Sequence, residues 1–252
     1  MKAPLPSAST EWAYFLDVDG TLLELADTPF SVQVPHDLKA IISAAQSCCG
    51  GALALISGRP IRDLDCLLGL DSLPMAGQHG LEYRDAQGHV HRHSLPPHQA
   101  QGIIRRLQAL QTRHPGLLIE DKGATLAIHY RLAPALGAYL GRLLSEILLD
   151  LPELQLQRGK YVMELKPVGF DKGTAVKEFM AQAPYQGRRP VFIGDDLTDE
   201  NGFHVVNEMG GLSIKVGPGR TIAQYHLSNV DAVRAWLGTM SASCEAKAKE
   251  HS

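Results

Sequence analysis

Short runs of uninterrupted apolar residues punctuate this chain, and each one stops at a polar or glycine-containing cluster. Trp12 to Leu16 ends in Asp17-Val18-Asp19-Gly20, Ala52 to Ile56 in Ser57-Gly58-Arg59, and Pro190 to Ile193 in Gly194-Asp195-Asp196. Leu73 to Ala76 leads towards His79-Gly80, and Leu212 to Val216 stops at Gly217. Short strands that are apolar on both faces read as parallel strands covered on both sides by helices. Helical patterns lie between them. Ile61, Leu64, Leu67 and Leu68 follow Pro60, a favourable first helical residue, and Val176, Phe179 and Met180 share a face after Asp171-Lys172-Gly173. The alternation predicts an α/β fold with a mostly parallel sheet.

The middle of the chain has a different rhythm. Ile103, Ile104, Leu107 and Leu110 mark a helix face, followed by strands at Leu117 to Glu120 and Ala124 to Tyr130. A second unit repeats the order: Leu136, Leu140, Leu143, Leu144 and Ile147, then strands at Leu154 to Gln157 and Tyr161 to Lys166. With a hairpin near Asp85 to Gly88 leading in, residues 83–167 are expected to form an inserted α+β domain. Residues 1–82 and 168–252 then form the larger domain. The polar end from Ser241 to Ser252 is expected to fray.

Composition narrows the function. Of 252 residues 44% are hydrophobic, which is enough for a sizeable core. A formal net charge of −3 argues against nucleic acid as a partner, and no run approaches the ~18 apolar residues of a membrane span. Met1 to Thr10 lacks the apolar segment of a secretory signal. Cys48, Cys49, Cys66 and Cys244 have no metal-binding spacing and read as reduced thiols of a cytoplasmic protein. His89, His91 and His93 alternate along the hairpin and read as an exposed polar face rather than a metal site.

In a doubly wound sheet the carboxyl ends of neighbouring strands share one crevice. Asp17, Asp19, Ser57, Asp195, Asp196 and Asp199 therefore converge although they are far apart in sequence. Clustered carboxylates repel unless a cation lies between them, and Mg²⁺ suits carboxylates and phosphate oxygens. Asp17, at the strand end, is the candidate nucleophile for an acyl phosphate. Asp19 is the candidate that protonates the leaving alkoxide and then activates water. Ser57 reads either as part of an anion site or as the cap of the helix at Pro60. Lys172 opens a helix, where a cation is disfavoured by the helix dipole, and so suggests a role on a phosphoryl group. Asp195 is the second candidate metal ligand, while Asp196 and Asp199 either ligate, orient the ligands or cap the next helix.

Together these residues resemble the four motifs of the haloacid dehalogenase superfamily: Asp17-x-Asp19-Gly20-Thr21, Ser57, Lys172, and Gly194-Asp195-Asp196 with Asp199. The resemblance implies a Rossmann-like core and Mg²⁺ held by Asp17, the backbone carbonyl of Asp19, and Asp195. It also implies that the insertion is a mobile cap. Aspartate at position 19 implies phosphatase or mutase chemistry.

A narrower likeness runs from about Tyr14 to Trp236. Leu55 to Arg59, Ala76 to Glu82, Lys122 with His129-Tyr130-Arg131, Glu164 to Pro167 and Gly194 to Glu200 resemble the trehalose-6-phosphate phosphatase family. That likeness implies Mg²⁺-dependent hydrolysis of trehalose 6-phosphate through an aspartyl-phosphate. Arg59, His79, Gly80, Lys122 and Glu164 are the candidate substrate-binding residues. Another sugar phosphate as substrate, or an inactive regulatory module, are the alternatives. Intact Asp17, Asp19, Lys172 and Asp195 weigh against the last.

Overall fold

A computed structural model describes residues 4–25, 32–93, 97–159 and 161–250. It divides into two compact units, residues 1–91 with 170–252 and residues 92–169.

The first unit is built on an eight-stranded sheet. Its strands in chain order are β1 (Trp12–Leu16), β2 (Leu53–Ile56), β3 (Met75–Gly77), β4 (Glu82–Arg84), β5 (Val90–Arg92), β10 (Arg189–Gly194), β11 (Leu212–Val216) and β12 (Tyr225–Leu227). Across the sheet the order is β12-β11-β10-β1-β2-β3-β4-β5. Neighbours from β12 to β3 are parallel, and β4 turns back antiparallel to β3. Every residue of β2 and β11 is buried, as are Ala13 to Leu16 and Pro190 to Gly194. That explains the apolar runs of these central strands: helices cover both faces, so the buried positions do not look into water. These are α1 (Leu38–Cys48), α2 (Ile61–Leu68), α5 (Lys172–Met180), α6 (Glu200–Glu208) and α7 (Val230–Glu250).

The second unit holds α3 (Pro97–Arg113), β6 (Leu118–Asp121), β7 (Leu126–His129), α4 (Gly137–Leu149), β8 (Leu154–Gly159) and β9 (Val162–Pro167). Its strands form a separate antiparallel sheet in the order β6-β7-β9-β8. Ile103 and Leu107 of α3, and Leu140, Leu144 and Ile147 of α4, pack with Leu126, Ile128 and Leu165 of the sheet. The core is thus a single apolar layer between helices and sheet.

Two differences from the sequence reading have simple causes. The division falls after His91 and after Gly169, rather than after Glu82 and Pro167, because β4 pairs with β3 and carries the hairpin onto the first unit's sheet. The end of the chain is helical past Ser241. α7 continues to Glu250 through a stretch rich in alanine, lysine and glutamate, all strong helix formers, and only His251 and Ser252 of that tail lie outside the described residues. The hairpin histidines hold an internal partner: Nδ1 of His89 and Nε2 of His91 lie 3.4 and 2.9 Å from Oδ2 of Asp85.

Candidate active site

From β1 the chain proceeds through β2 and β3 on one side of the sheet, while β10, β11 and β12 lie on the other. The crevice at the carboxyl ends, where this order reverses, is where ligands bind in such sheets. Asp17 follows the last residue of β1, and its amide donates to the Ile193 carbonyl of β10 at 3.0 Å. Asp195 follows β10, Ser57 follows β2, and Gln78 and His79 follow β3.

Asp17 is buried, and Oδ1 accepts from Nζ of Lys172 at 2.8 Å. The same ammonium donates to Oδ1 of Asp199 at 2.6 Å, with the Lys172 and Asp199 side chains 3% and 0% exposed. Lys172 opens α5 behind its cap, Asp171, whose carboxylate accepts from the amide of Thr174 at 2.8 Å. Burial opposes the lysine charge, but the facing Asp17 and Asp199 outweigh it and push its pKa up. Burial raises the pKa of Asp17, Asp195 and Asp199 in turn. The Lys172 ammonium bonds to two of these three carboxylates, Asp17 and Asp199, and the cluster is left short of positive charge.

Asp199 has its donors. Besides Lys172, its Oδ2 accepts from the amides of Asp195 and Asp196, each at 2.9 Å, so it orients the loop that carries Asp195. Two glycines make room for this. A Cβ on Gly194 would lie 2.2 Å from Cγ of Asp199, and one on Gly20, at φ +80°, would lie 2.1 Å from Oδ2 of Asp195. Asp196 is exposed, its Oδ1 accepting from the amide and hydroxyl of Thr198 at 2.8 and 2.7 Å. That makes it a local turn cap.

One carboxylate oxygen from each of Asp17, Asp195 and Asp199 lies within 4.8 Å of the others. Hard oxygen donors with a net negative charge are the donor set that fits Mg²⁺. Asp199 accepts three hydrogen bonds, from Lys172 and the amides of Asp195 and Asp196, which leaves Asp17 and Asp195 as the side chains with more free oxygen to hold the ion.

The Asp19 carboxylate turns to a different partner. Nε and Nη2 of Arg59 donate to its two oxygens at 2.6 and 2.7 Å, a bidentate ion pair that pushes the arginine pKa further up. Ser57 is buried, and its Oγ accepts from the Arg59 amide at 3.1 Å. It does not cap α2. The amide of Ile61 bonds instead to Oε1 of buried Glu82, at 2.7 Å. His79, at φ +58°, donates its amide to the Ser57 carbonyl at 2.9 Å, and its ring lies against Gly58. Gly80 packs on the Asp171 carbonyl at the start of α5. Sequence reasoning thus placed Arg59, His79 and Gly80 in this neighbourhood, and the structure gives Arg59 a protein partner.

Lys122 and Glu164 lie in the second unit, where Nζ of Lys122 is 3.4 Å from Oε1 of Glu164. Thr125, which the sequence did not single out, donates its hydroxyl to the same oxygen at 2.6 Å. Lys215 was missed as well. It is buried on β11, and Nζ donates to the carbonyls of Asp195 and Val216, the latter at 2.6 Å, holding the Asp195 loop from beneath. A lysine inside an otherwise apolar run was the available signal.

The fold is shared with a phosphatase of the haloalkanoate (HAD) enzyme superfamily from Bacteroides thetaiotaomicron. The TM-score is 0.61 at 16% identity, over 94% of this chain and 98% of that one. Aspergillus fumigatus trehalose-6-phosphate phosphatase superposes with a TM-score of 0.72 at 25% identity, over 92% of this chain and 93% of that one. The chain is 43% identical over 242 residues to trehalose-6-phosphate phosphatase of Escherichia coli K12, covering 96% of this chain and 91% of that protein. It is also 43% identical over 232 residues to a probable trehalose-phosphate phosphatase of Sinorhizobium fredii, covering 92% and 87%. The trehalose-phosphatase family model matches residues 15–231. The chain belongs to the trehalose-phosphatase family.

Proposed function

We propose that this protein hydrolyses trehalose 6-phosphate to trehalose and phosphate in a Mg²⁺-dependent reaction that passes through a phosphorylated Asp17. The observation that carries the reading is the position of Asp17: buried at the carboxyl end of β1, bonded to Lys172, and beside Asp195 and Asp199.

In the first step a carboxylate oxygen of Asp17 attacks phosphorus, and the bond from phosphorus to the sugar oxygen breaks. Asp19, protonated on one oxygen while the other stays bonded to Arg59, gives that proton to the departing oxygen. In the second step Asp19, now a carboxylate, takes a proton from water as the water attacks the same phosphorus, and Asp17 leaves as a free carboxylate. Lys172 offsets charge on the transferring group, and the Ser57 hydroxyl donates to a phosphate oxygen. Mg²⁺, held by Asp17, Asp195 and the backbone carbonyl of Asp19, would supply the further positive charge the phosphoryl group needs. Glu164 and Lys122 contact the sugar, whose hydroxyls call for strong acceptors and donors. The free thiols of all four cysteines suit a cytoplasmic location, and no helix among the described residues is long and apolar enough to cross a membrane.

Phosphate release from a panel of sugar phosphates, with and without Mg²⁺, tests this reading. Trehalose 6-phosphate should be the preferred substrate and chelation should abolish turnover. Equal rates on sucrose 6-phosphate, or preference for it, would overturn the substrate assignment and leave the chemistry intact.

A further inference from the structure

The Asp19 side chain is 30% exposed and lies between buried Val18 and a glycine of positive φ. Among the described residues, Arg59 is its one side-chain partner, and it grips both oxygens through a planar fork. Arg59 is itself fixed. Its side chain is 16% exposed, its amide donates to Ser57 Oγ at 3.1 Å, and its carbonyl accepts from the amide of Gln78 at 3.0 Å. A carboxylate that moves a proton must present one oxygen to a reacting atom in a defined plane. A partly exposed carboxylate does not hold a plane by itself, because its terminal torsion is broad.

We infer that Arg59 is a positioning residue that acts through Asp19, holding the plane and direction of its carboxylate, rather than a residue that binds substrate. The inference rests on the acid–base role proposed for Asp19, but the two are separable. That role is tested by Asp19→Asn alone, whereas the action of Arg59 is read as its coupling to Asp19.

The experiment measures kcat and KM for Arg59→Gln, Asp19→Asn and the double variant, on trehalose 6-phosphate and on p-nitrophenyl phosphate. Arg59→Gln should lower kcat on trehalose 6-phosphate by on the order of 10- to 100-fold, the worth of a charged hydrogen bond, with KM nearly unchanged. The loss on p-nitrophenyl phosphate, whose leaving group needs little protonation, should be much smaller, and it also reports that the variant is folded. In the Asp19→Asn background the same substitution should add little, since both act in one unit. Arg59→Lys, which keeps the charge without the fork, should recover only part of the loss, and it replaces the glutamine variant in the cycle if circular dichroism shows that one unfolded. The inference is overturned if Arg59→Gln causes the same fold-loss in both backgrounds, if its effect is a rise in KM with kcat retained, or if it has no effect.

Discussion

Nζ of Lys172 lies 2.8 Å from Oδ1 of Asp17, and neither side chain is more than 5% exposed. A buried ion pair is costly to break from one side, because the remaining charge keeps its desolvation penalty without its partner. Here the stranded charge would belong to the nucleophile.

Lys172→Met should therefore lower both kcat and stability, the latter by about 3 kcal/mol in metal-free buffer. Thermal unfolding with and without Mg²⁺ checks this. Added Mg²⁺ should raise the Tm of the variant more than that of the wild type, because the ion compensates for the missing ammonium. An equal rise in both would show that the cation and the lysine do not share the same carboxylates.

The carboxylate cluster sets a pH dependence. Burial lifts Asp17 to about 6, burial and then the Asp199 charge lift Asp195 to about 6, and burial and the Asp17 charge lift Asp199 to about 7, all from 3.8. In the metal-free protein the folded state thus holds protons that the unfolded chain has released. Stability from this cluster is present below the unfolded value and is lost as pH rises through about 4 to about 7. Mg²⁺ competes with those protons. The rise in Tm on adding Mg²⁺ should be small near pH 5 and large near pH 8, measured by scanning calorimetry. A larger rise at the acid end would contradict the cluster as the metal site.

Asp19→Asn separates acid–base chemistry from nucleophilic attack. A sugar alkoxide is a poor leaving group and needs a proton, whereas p-nitrophenolate does not. The variant should lose on the order of 100-fold more kcat/KM on trehalose 6-phosphate than on p-nitrophenyl phosphate. Equal losses on the two would remove the proton-donor role.

Much of this site could be read before the fold was known, for a physical reason. β1, β2 and β10 are buried on both faces, so their apolar runs end abruptly at the crevice, and the first polar residue after each run is Asp17, Ser57 or Asp195. What could not be read depends on partners distant in sequence. Serine before Pro60 looked like a helix cap, but Glu82 takes that role from another strand. Arg59 meets Asp19 across two strands. Lys215 bonds to main-chain carbonyls, which carry no side-chain signature. β12 is three residues long and half-exposed, too short for its pattern to stand out.

Glu164 accepts from Thr125 and pairs with Lys122 within the second unit. Glu164→Ala should leave p-nitrophenyl phosphate hydrolysis nearly intact. It should lower kcat/KM on trehalose 6-phosphate by about 10- to 100-fold, the worth of a hydrogen bond to a charged group. A matched loss on both substrates, seen in parallel steady-state assays, would exclude Glu164 from sugar recognition.

The central claim is that Asp17 is the nucleophile in the hydrolysis of trehalose 6-phosphate. Its most direct test is phosphate release from that substrate by Asp17→Asn at saturating Mg²⁺, with circular dichroism confirming the fold. The amide keeps the shape of the carboxylate and cannot form the acyl phosphate, so turnover should fall by on the order of a thousandfold or more. Turnover close to that of the wild type would contradict the account.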